Sequence, residues 1–382
     1  MIQKILHREF ILTFFAQFAL SSSSNLLVPT LPIYFLRSGA TEVEIGVLIG
    51  ILGVSSVVLR PIVGRTLLRI PERNFMFGGA LLLAICSIGY LLVPPFWPLL
   101  IVRVLQGIGI TFFYTASVTL IANISPESHR GQSISYFYLA FQISLVLGPS
   151  LGMLLINHFS FALLFAVCAS LSLCSLFITF KLPARPVDTL KDQSMKGQSL
   201  FSRQALPPAV MAFMTSCVYG AIIAFFPLYA LDHGVANPGL FFSAFAITII
   251  LGRTLGGRIL DLHSRERVIF PCLSIYILAM SILPFCKTLP MFIVVAVIWG
   301  IGHTFLYPAL SVYTLDLAGS SPGPALGIFT AADDFGTGFG AVIMGVVLRF
   351  TSYPIMFLCL AFVGAINLCY FYCIVKKRRA FH

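Results

Sequence analysis

Runs of about twenty apolar residues recur twelve times along the chain, at roughly 10–36, 45–68, 75–93, 97–121, 132–156, 160–180, 207–231, 239–261, 268–286, 290–316, 324–349 and 354–375. A helix needs about 20 residues to cross roughly 30 Å of hydrocarbon. Lipid leaves no partner for an open backbone, so a spanning run is a helix. Composition agrees: 58% of residues are hydrophobic and 10% charged, whereas a soluble domain uses about 25% charged residues. The expected fold is therefore an all-α membrane protein of twelve transmembrane helices. The first run is too long for a cleavable signal peptide and lacks a clean small-residue cleavage site, so it reads as the first span.

An even number of spans puts both termini on one side. Placing them in the cytoplasm gives the inner face 18 of the 24 Lys and Arg and the outer face only Arg37, Lys287 and Arg349. Arg60, Arg103 and Arg253 fall within spans. That bias is the positive-inside pattern. It also accounts for the net charge of +11 without a nucleic-acid partner, because the basic residues are scattered over short loops. The terminal KKRR reads as stop-transfer and headgroup contact. Nine cysteines sit mostly inside the runs with no CxxC, as buried free thiols do. Neither a metal nor a cofactor is expected. Length and compact loops point to a bacterial inner membrane, and a monomer is expected.

The longest polar stretch, LPARPVDTLKDQSMKGQSLFSRQAL at 182–206, separates a six-helix bundle at 1–181 from a second at 207–382 with a basic tail. The stretch itself is read as a cytoplasmic linker. The two halves are copies. PIYFLRSG (32–39) and RPIVGR (60–65) return as PLYALDHG (227–234) and RTLGGR (253–258). GIGITFFY (107–114) returns as GIGHTFLY (300–307), alike at six of eight positions. Such a duplicated bundle suits alternating access around a mid-membrane site.

Three further stretches carry a resemblance. After span 2 stand Gly64, Arg65, Arg69 and Arg73, and after span 8 Gly257, Arg258, Asp261, Arg265 and Arg267. Span 4 holds RVLQGIG (103–109), and span 5 holds LGPSLG (147–152). Together they resemble the major facilitator superfamily over essentially the whole chain, and in particular its twelve-span drug and metabolite efflux type. The loop stretches resemble the family's G-x-x-x-D-R-x-G-R loop motif, though Leu68 replaces the acid in the first copy. Span 4 resembles its R-x-x-Q-G motif. Span 5 resembles the core of its antiporter motif, with Ser144 and Met153 at two glycine positions. The resemblance implies a non-enzymatic transporter and favours export over uptake.

Each motif also has a physical reading. Gly64 and Gly257 would let helices approach closely at the inner face, with Arg65, Arg258 and Asp261 forming a latch that breaks as the halves rock. The alternative is plain basic anchoring. Gly148, Pro149 and Gly152 would let span 5 kink, since proline lacks a donor; they also occur in membrane helices without special meaning.

Charge inside the membrane costs roughly 2.5–3.5 kcal/mol per residue at mid-depth, so each such group must face the protein interior or a wet cavity. Arg103 sits about 9 Å below the outer end of span 4 at 1.5 Å per residue. Its readings are a carbonyl, a substrate anion or a carboxylate from the other half as partner, or an internal hydrogen-bonding hub for Asn25 or Gln17. Asp333 and Asp334 lie about 15 Å into span 11, near mid-membrane. Alignment of the halves sets Asp334 opposite Gln142 and Asp333 opposite Phe141. His303 lies at a comparable depth and could donate to one of them. A carboxylate that gains and loses a proton is the minimum component of proton coupling; the alternative is a structural acid satisfied by His303 or the backbone. Asn25, Tyr34, Gln106, Tyr114, Gln142 and Tyr307 are further candidates for the cavity. The expected function is proton-coupled export of a small organic molecule by alternating access. Uptake by proton symport or facilitated diffusion is the alternative.

Overall fold

The computed structural model describes residues 7–93, 96–126, 129–183, 205–256, 263–318 and 322–379. They form twelve helices: α1 Arg8–Arg37, α2 Glu42–Thr66, α3 Glu72–Leu92, α4 Trp97–Ile124, α5 Arg130–His158, α6 Phe161–Phe180, α7 Leu206–Asp232, α8 Gly239–Gly256, α9 Arg265–Ile282, α10 Leu289–Ala318, α11 Pro322–Phe350 and α12 Tyr353–Arg379. Twelve spans long and apolar enough to cross a membrane lie among the described residues, the number the apolar runs predict. Several helices outrun those runs by a turn or less. Hydropathy marks only the hydrocarbon layer, while a helix continues until something caps it. Gly257, Arg258 and Asp261, and residues 184–204 of the expected linker, lie outside the described residues.

Contacts group the chain into two units, Met1–Tyr34 with Val54–Gln198, and Phe35–Gly53 with Ser199–His382. The second unit thus takes in the first half of α2. Gly46, Gly50 and Gly53 explain why. They recur every three or four residues, so they share one helix face. A Cβ on Gly46 would sit 2.5 Å from the Ala341 carbonyl oxygen, and those on Gly50 and Gly53 would meet the carbonyls of Gly338 and Asp334. Only glycine lets the α2 and α11 backbones meet this closely. Lipid tails are as apolar as the helices, so such close packing, rather than hydrophobicity, drives helices together in a membrane.

In the first unit, α3 and α4 cross where a Cβ on Gly79 would lie 2.5 Å from the Gly109 carbonyl oxygen. On α5, Gly148 faces α1 so closely that a Cβ there would lie 2.8 Å from the Asn25 Cβ, and one on Gly152 would meet the Leu26 carbonyl. Pro149 lies inside the continuous helix α5, and Gly148 and Gly152 beside it give the close approach to α1.

The second unit is organised around α7, which is buried along most of its length. Cβ atoms on Gly220, Gly336 and Gly340 would collide with the carbonyls of Thr337, Phe213 and Cys217, so α7 and α11 touch backbone to backbone. On its other sides α7 is tied to α9 and α12. Tyr276 Oη donates to the Thr215 carbonyl at 3.3 Å. Asn367 Nδ2 donates to the Met211 carbonyl at 3.0 Å and to Thr215 Oγ1 at 3.1 Å.

Candidate functional site

Asp333 and Asp334 are half-buried near the middle of α11. Neighbouring helical residues point about 100° apart, and the two acids accordingly serve different contacts. Asp333 Oδ1 accepts a hydrogen bond from Ser216 Oγ of α7. Asp334 turns its backbone carbonyl toward Gly53 of α2. Thr337 Oγ1 donates to the Asp333 carbonyl at 3.1 Å, one turn along the same helix.

Ser216 and Tyr219 are three residues apart and share a face of α7. Tyr219 stacks on His303 of α10, with centroids 5.9 Å apart and planes 19° from parallel. His303 stacks in turn on Tyr307 at 6.4 Å and 27°. All three rings are half-buried, and Phe245, Trp299 and Tyr276 back them at 5.3, 6.3 and 6.5 Å from His303. The result is a ladder of three stacked rings beside a carboxylate. Among the described residues His303 makes no hydrogen bond to either aspartate; its ring lies near-parallel to Tyr219. Its Nδ1 is buried with no hydrogen-bond partner among the described residues.

The polar groups of the first unit behave differently. Arg103 is only 4% exposed. Its Nη1 donates to Gln106 Oε1 at 2.6 Å, and Tyr90 Oη donates to the same oxygen at 2.5 Å. Arg103 is thus a hub, but for Gln106 and Tyr90. Asn25 and Gln17, the partners expected for it, are engaged elsewhere. Asn25 Nδ2 donates to Ser144 Oγ at 2.6 Å, so the serine at a motif glycine position bonds the neighbouring helix. Gln17 Nε2 donates to Ser21 Oγ at 2.9 Å, which lies 2.8 Å from Tyr114 Oη. Tyr34 Oη donates to the Tyr90 carbonyl at 2.7 Å, its ring edge-on to Phe165. Of the expected cavity groups, Asn25, Tyr34 and Gln106 therefore hold helices together. Gln142, Tyr114 and Tyr307 are half-buried.

Comparing the copies shows what sequence reading missed. Ser21 and Ser216 stand 195 residues apart, in the register of the PIYFLRSG repeat. In the first unit this serine meets Tyr114, and Phe141, at the place of Asp333, packs its ring 6.0 Å from Tyr114. In the second unit the equivalent serine meets an acid. The signal lay in the repeat, but it needed a residue outside the motif itself.

Of the expected inner latch, Gly257, Arg258 and Asp261 lie outside the described residues. Gly64 is exposed, and a Cβ there would meet nothing within 4 Å; Arg65 beside it is exposed too. A tie that sequence reading passed over joins the ends of the neighbouring helices. Arg265 Nε lies 3.4 Å from Asp316 Oδ2 between α9 and α10. Asn123 Nδ2 donates to Glu72 Oε1 at 2.7 Å between α4 and α3. No group of three His, Cys, Asp or Glu able to hold a metal occurs among the described residues.

Comparison with known proteins agrees with this architecture. The family model described as Major Facilitator Superfamily matches residues 13–241 and 209–381. The chain is 24% identical over 355 residues to a staphylopine export protein of Staphylococcus aureus, covering 88% of each. It is 20% identical over 357 residues to the quinolone resistance protein NorA of the same organism, covering 89% of this chain and 90% of that one. Among solved structures, the nucleoside transporter NupG superposes with a TM-score of 0.80 at 16% identity, covering 97% of this chain and 100% of that one. A POT family transporter superposes with a TM-score of 0.81 at 13% identity, covering 99% and 98%. At such identities the superpositions speak for the fold alone.

Proposed function

The chain belongs to the major facilitator superfamily of membrane transporters, and we propose that it exports a small organic molecule in exchange for protons. Asp333 and Asp334 are the coupling residues in this reading, and the Tyr219, His303 and Tyr307 ladder meets the substrate. The observation that carries it is the pair of half-buried carboxylates near the middle of α11. An acid at that depth costs roughly 2.5–3.5 kcal/mol on insertion scales, and the first copy manages with Gln142 and Phe141 at the same places. A cost present in one half and absent from its copy points to a task beyond folding. The direction rests on the relatives: two of them carry export or drug resistance in their names. Protons exchanged at a single acidic site would drive export whenever the outside is more acidic.

The test uses the compounds those names supply. Cells making the protein should accumulate less staphylopine or less of a quinolone than cells without it. Everted vesicles should take the compound up only under an imposed pH gradient. Asp333→Asn should remove the gradient dependence at near-normal protein levels, Asp334→Asn should weaken it, and His303→Ala should weaken it less. Higher accumulation in producing cells would reverse the direction. Normal gradient-driven uptake by both aspartate variants would remove the coupling site from α11.

A further inference from the structure

The coupling reading uses Asp333 but leaves Ser216 without a part. We propose that Ser216 is a positioning residue for Asp333: its hydroxyl, donated across the α7–α11 crossing, sets how tightly that carboxylate holds a proton. The inference rests on the reading that Asp333 titrates during transport.

Three observations support it. First, hydroxyls in these helices commonly bond their own backbone: Thr215, Thr248 and Thr304 donate to carbonyls four residues back at 2.9, 2.8 and 2.7 Å. Ser216 instead crosses to the neighbouring helix. Second, the crossing cannot slide. Gly220, Gly336 and Gly340 bring the two backbones into direct contact around the serine, and Ser216 is only 5% exposed. Third, the repeat mate Ser21 is engaged with Gln17 and Tyr114 in a half that has Phe141 where Asp333 would stand. A polar residue is kept at this position in both copies, and it meets an acid where the acid exists.

Serine has one hydrogen to donate and two lone pairs. Given to the ionised carboxylate, that hydrogen favours the charged form. Once Asp333 is protonated, its own O–H can point at Ser216 Oγ, and the serine hydrogen turns back to the Ala212 carbonyl one turn away. The groups that titrate or carry charge around Asp333 are Asp334 on its own helix, Cys217 and Tyr219 on α7, Tyr276 on α9, and His303 and Tyr307 on α10. The field of Asp333 reaches Tyr219 and Tyr276, and that of Arg253 on α8 reaches His303. Ser216 is neutral, so replacing it leaves this charge set intact and isolates the hydrogen bond.

The experiment titrates the purified full-length protein in liposomes and follows the infrared band of protonated carboxyl groups, with the proton itself as the probe. Asp333→Asn should remove one component of the band, which assigns it. Ser216→Ala should move the midpoint of that component to higher pH by about one unit, a roughly tenfold gain in proton affinity for loss of one hydrogen bond to a charged group. Ser216→Thr should restore the wild-type midpoint, and Ser21→Ala should leave it unmoved. If Ser216→Ala fails to fold, Ser216→Cys, a weaker donor, should shift the midpoint the same way by less. An assigned component whose midpoint ignores both substitutions overturns the role of Ser216 alone. A band that survives Asp333→Asn intact overturns the coupling reading beneath it.

Discussion

Arg265 on α9 lies 3.4 Å from Asp316 on α10, and 193 residues earlier the same two helix positions hold Glu72 and Asn123, 2.7 Å apart. The copies keep the tie and change its chemistry. In one the acid stands on the first helix of the pair, and in the other on the second. What has been retained is a polar bridge between the ends of adjacent helices, independent of which partner is charged.

That bridge should matter little to stability. The Arg265 and Asp316 side chains are 30% and 51% exposed, and an exposed ion pair contributes about 0–1 kcal/mol. Asp316→Asn is therefore expected to leave the thermal unfolding midpoint in detergent within about 3 °C of wild type. A much larger fall would mean the pair is buried and strongly coupled.

The glycines make a sharper contrast. Gly220→Ala puts a methyl group into the Thr337 carbonyl, and neither backbone can yield without moving a whole helix. Overpacking of this kind costs about 1–3 kcal/mol, so less folded protein should be recovered. Gly64→Ala meets open space and should be recovered like wild type. Size-exclusion profiles of the two variants would show the difference. Equal recovery would contradict the tight α7–α11 crossing.

These contrasts show which parts of the molecule could be read in advance. Span count and duplication were legible because lipid imposes one length and one polarity on every helix, and because motifs such as GIGITFFY and GIGHTFLY survive at matching places. Position within a span was legible too, so Asp333, Asp334 and Arg103 stood out as charges inside apolar helices. Partners were not. Gln106 stands one turn from Arg103 on the same helix, but whether Asn25 of another helix meets it depends on helix rotation, which periodicity cannot supply when a helix is apolar all round. His303 shows the same limit: its depth suggested a carboxylate, yet Tyr219 and Tyr307 claim its faces. Gly46, Gly50 and Gly53 carried a readable spacing, but nothing in the sequence says that the opposite face belongs to α11.

The Arg103 hub yields a prediction of its own. Removing the guanidinium takes one of two donors, Arg103 Nη1 beside Tyr90 Oη, from the Gln106 side-chain oxygen and opens a gap in a buried site. Leaving a buried polar group short of its partner costs about 1–3 kcal/mol. Arg103→Ala should therefore lower the thermal midpoint and the yield from the membrane, while whatever protein remains keeps the pH dependence of transport. A stable Arg103→Ala protein with an altered pH profile would move Arg103 into the coupling machinery.

The topology expected from the charge distribution can be checked without a substrate. The basic residues divide 18 to 3 between the two faces when both termini are placed inside, and short basic loops resist translocation. A reporter fused after residue 190, or after the last residue, should behave as cytoplasmic. One inserted near Gly234 should be external. That glycine sits just past the end of α7 with φ +76°, and a Cβ there would meet nothing within 4 Å, so the turn has room for an insertion. The bridge of Arg265 and Asp316 then falls on the cytoplasmic side, together with Glu72 and Asn123, and Lys287 on the outer one. An external signal at residue 190 would overturn the twelve-span arrangement with both termini inside.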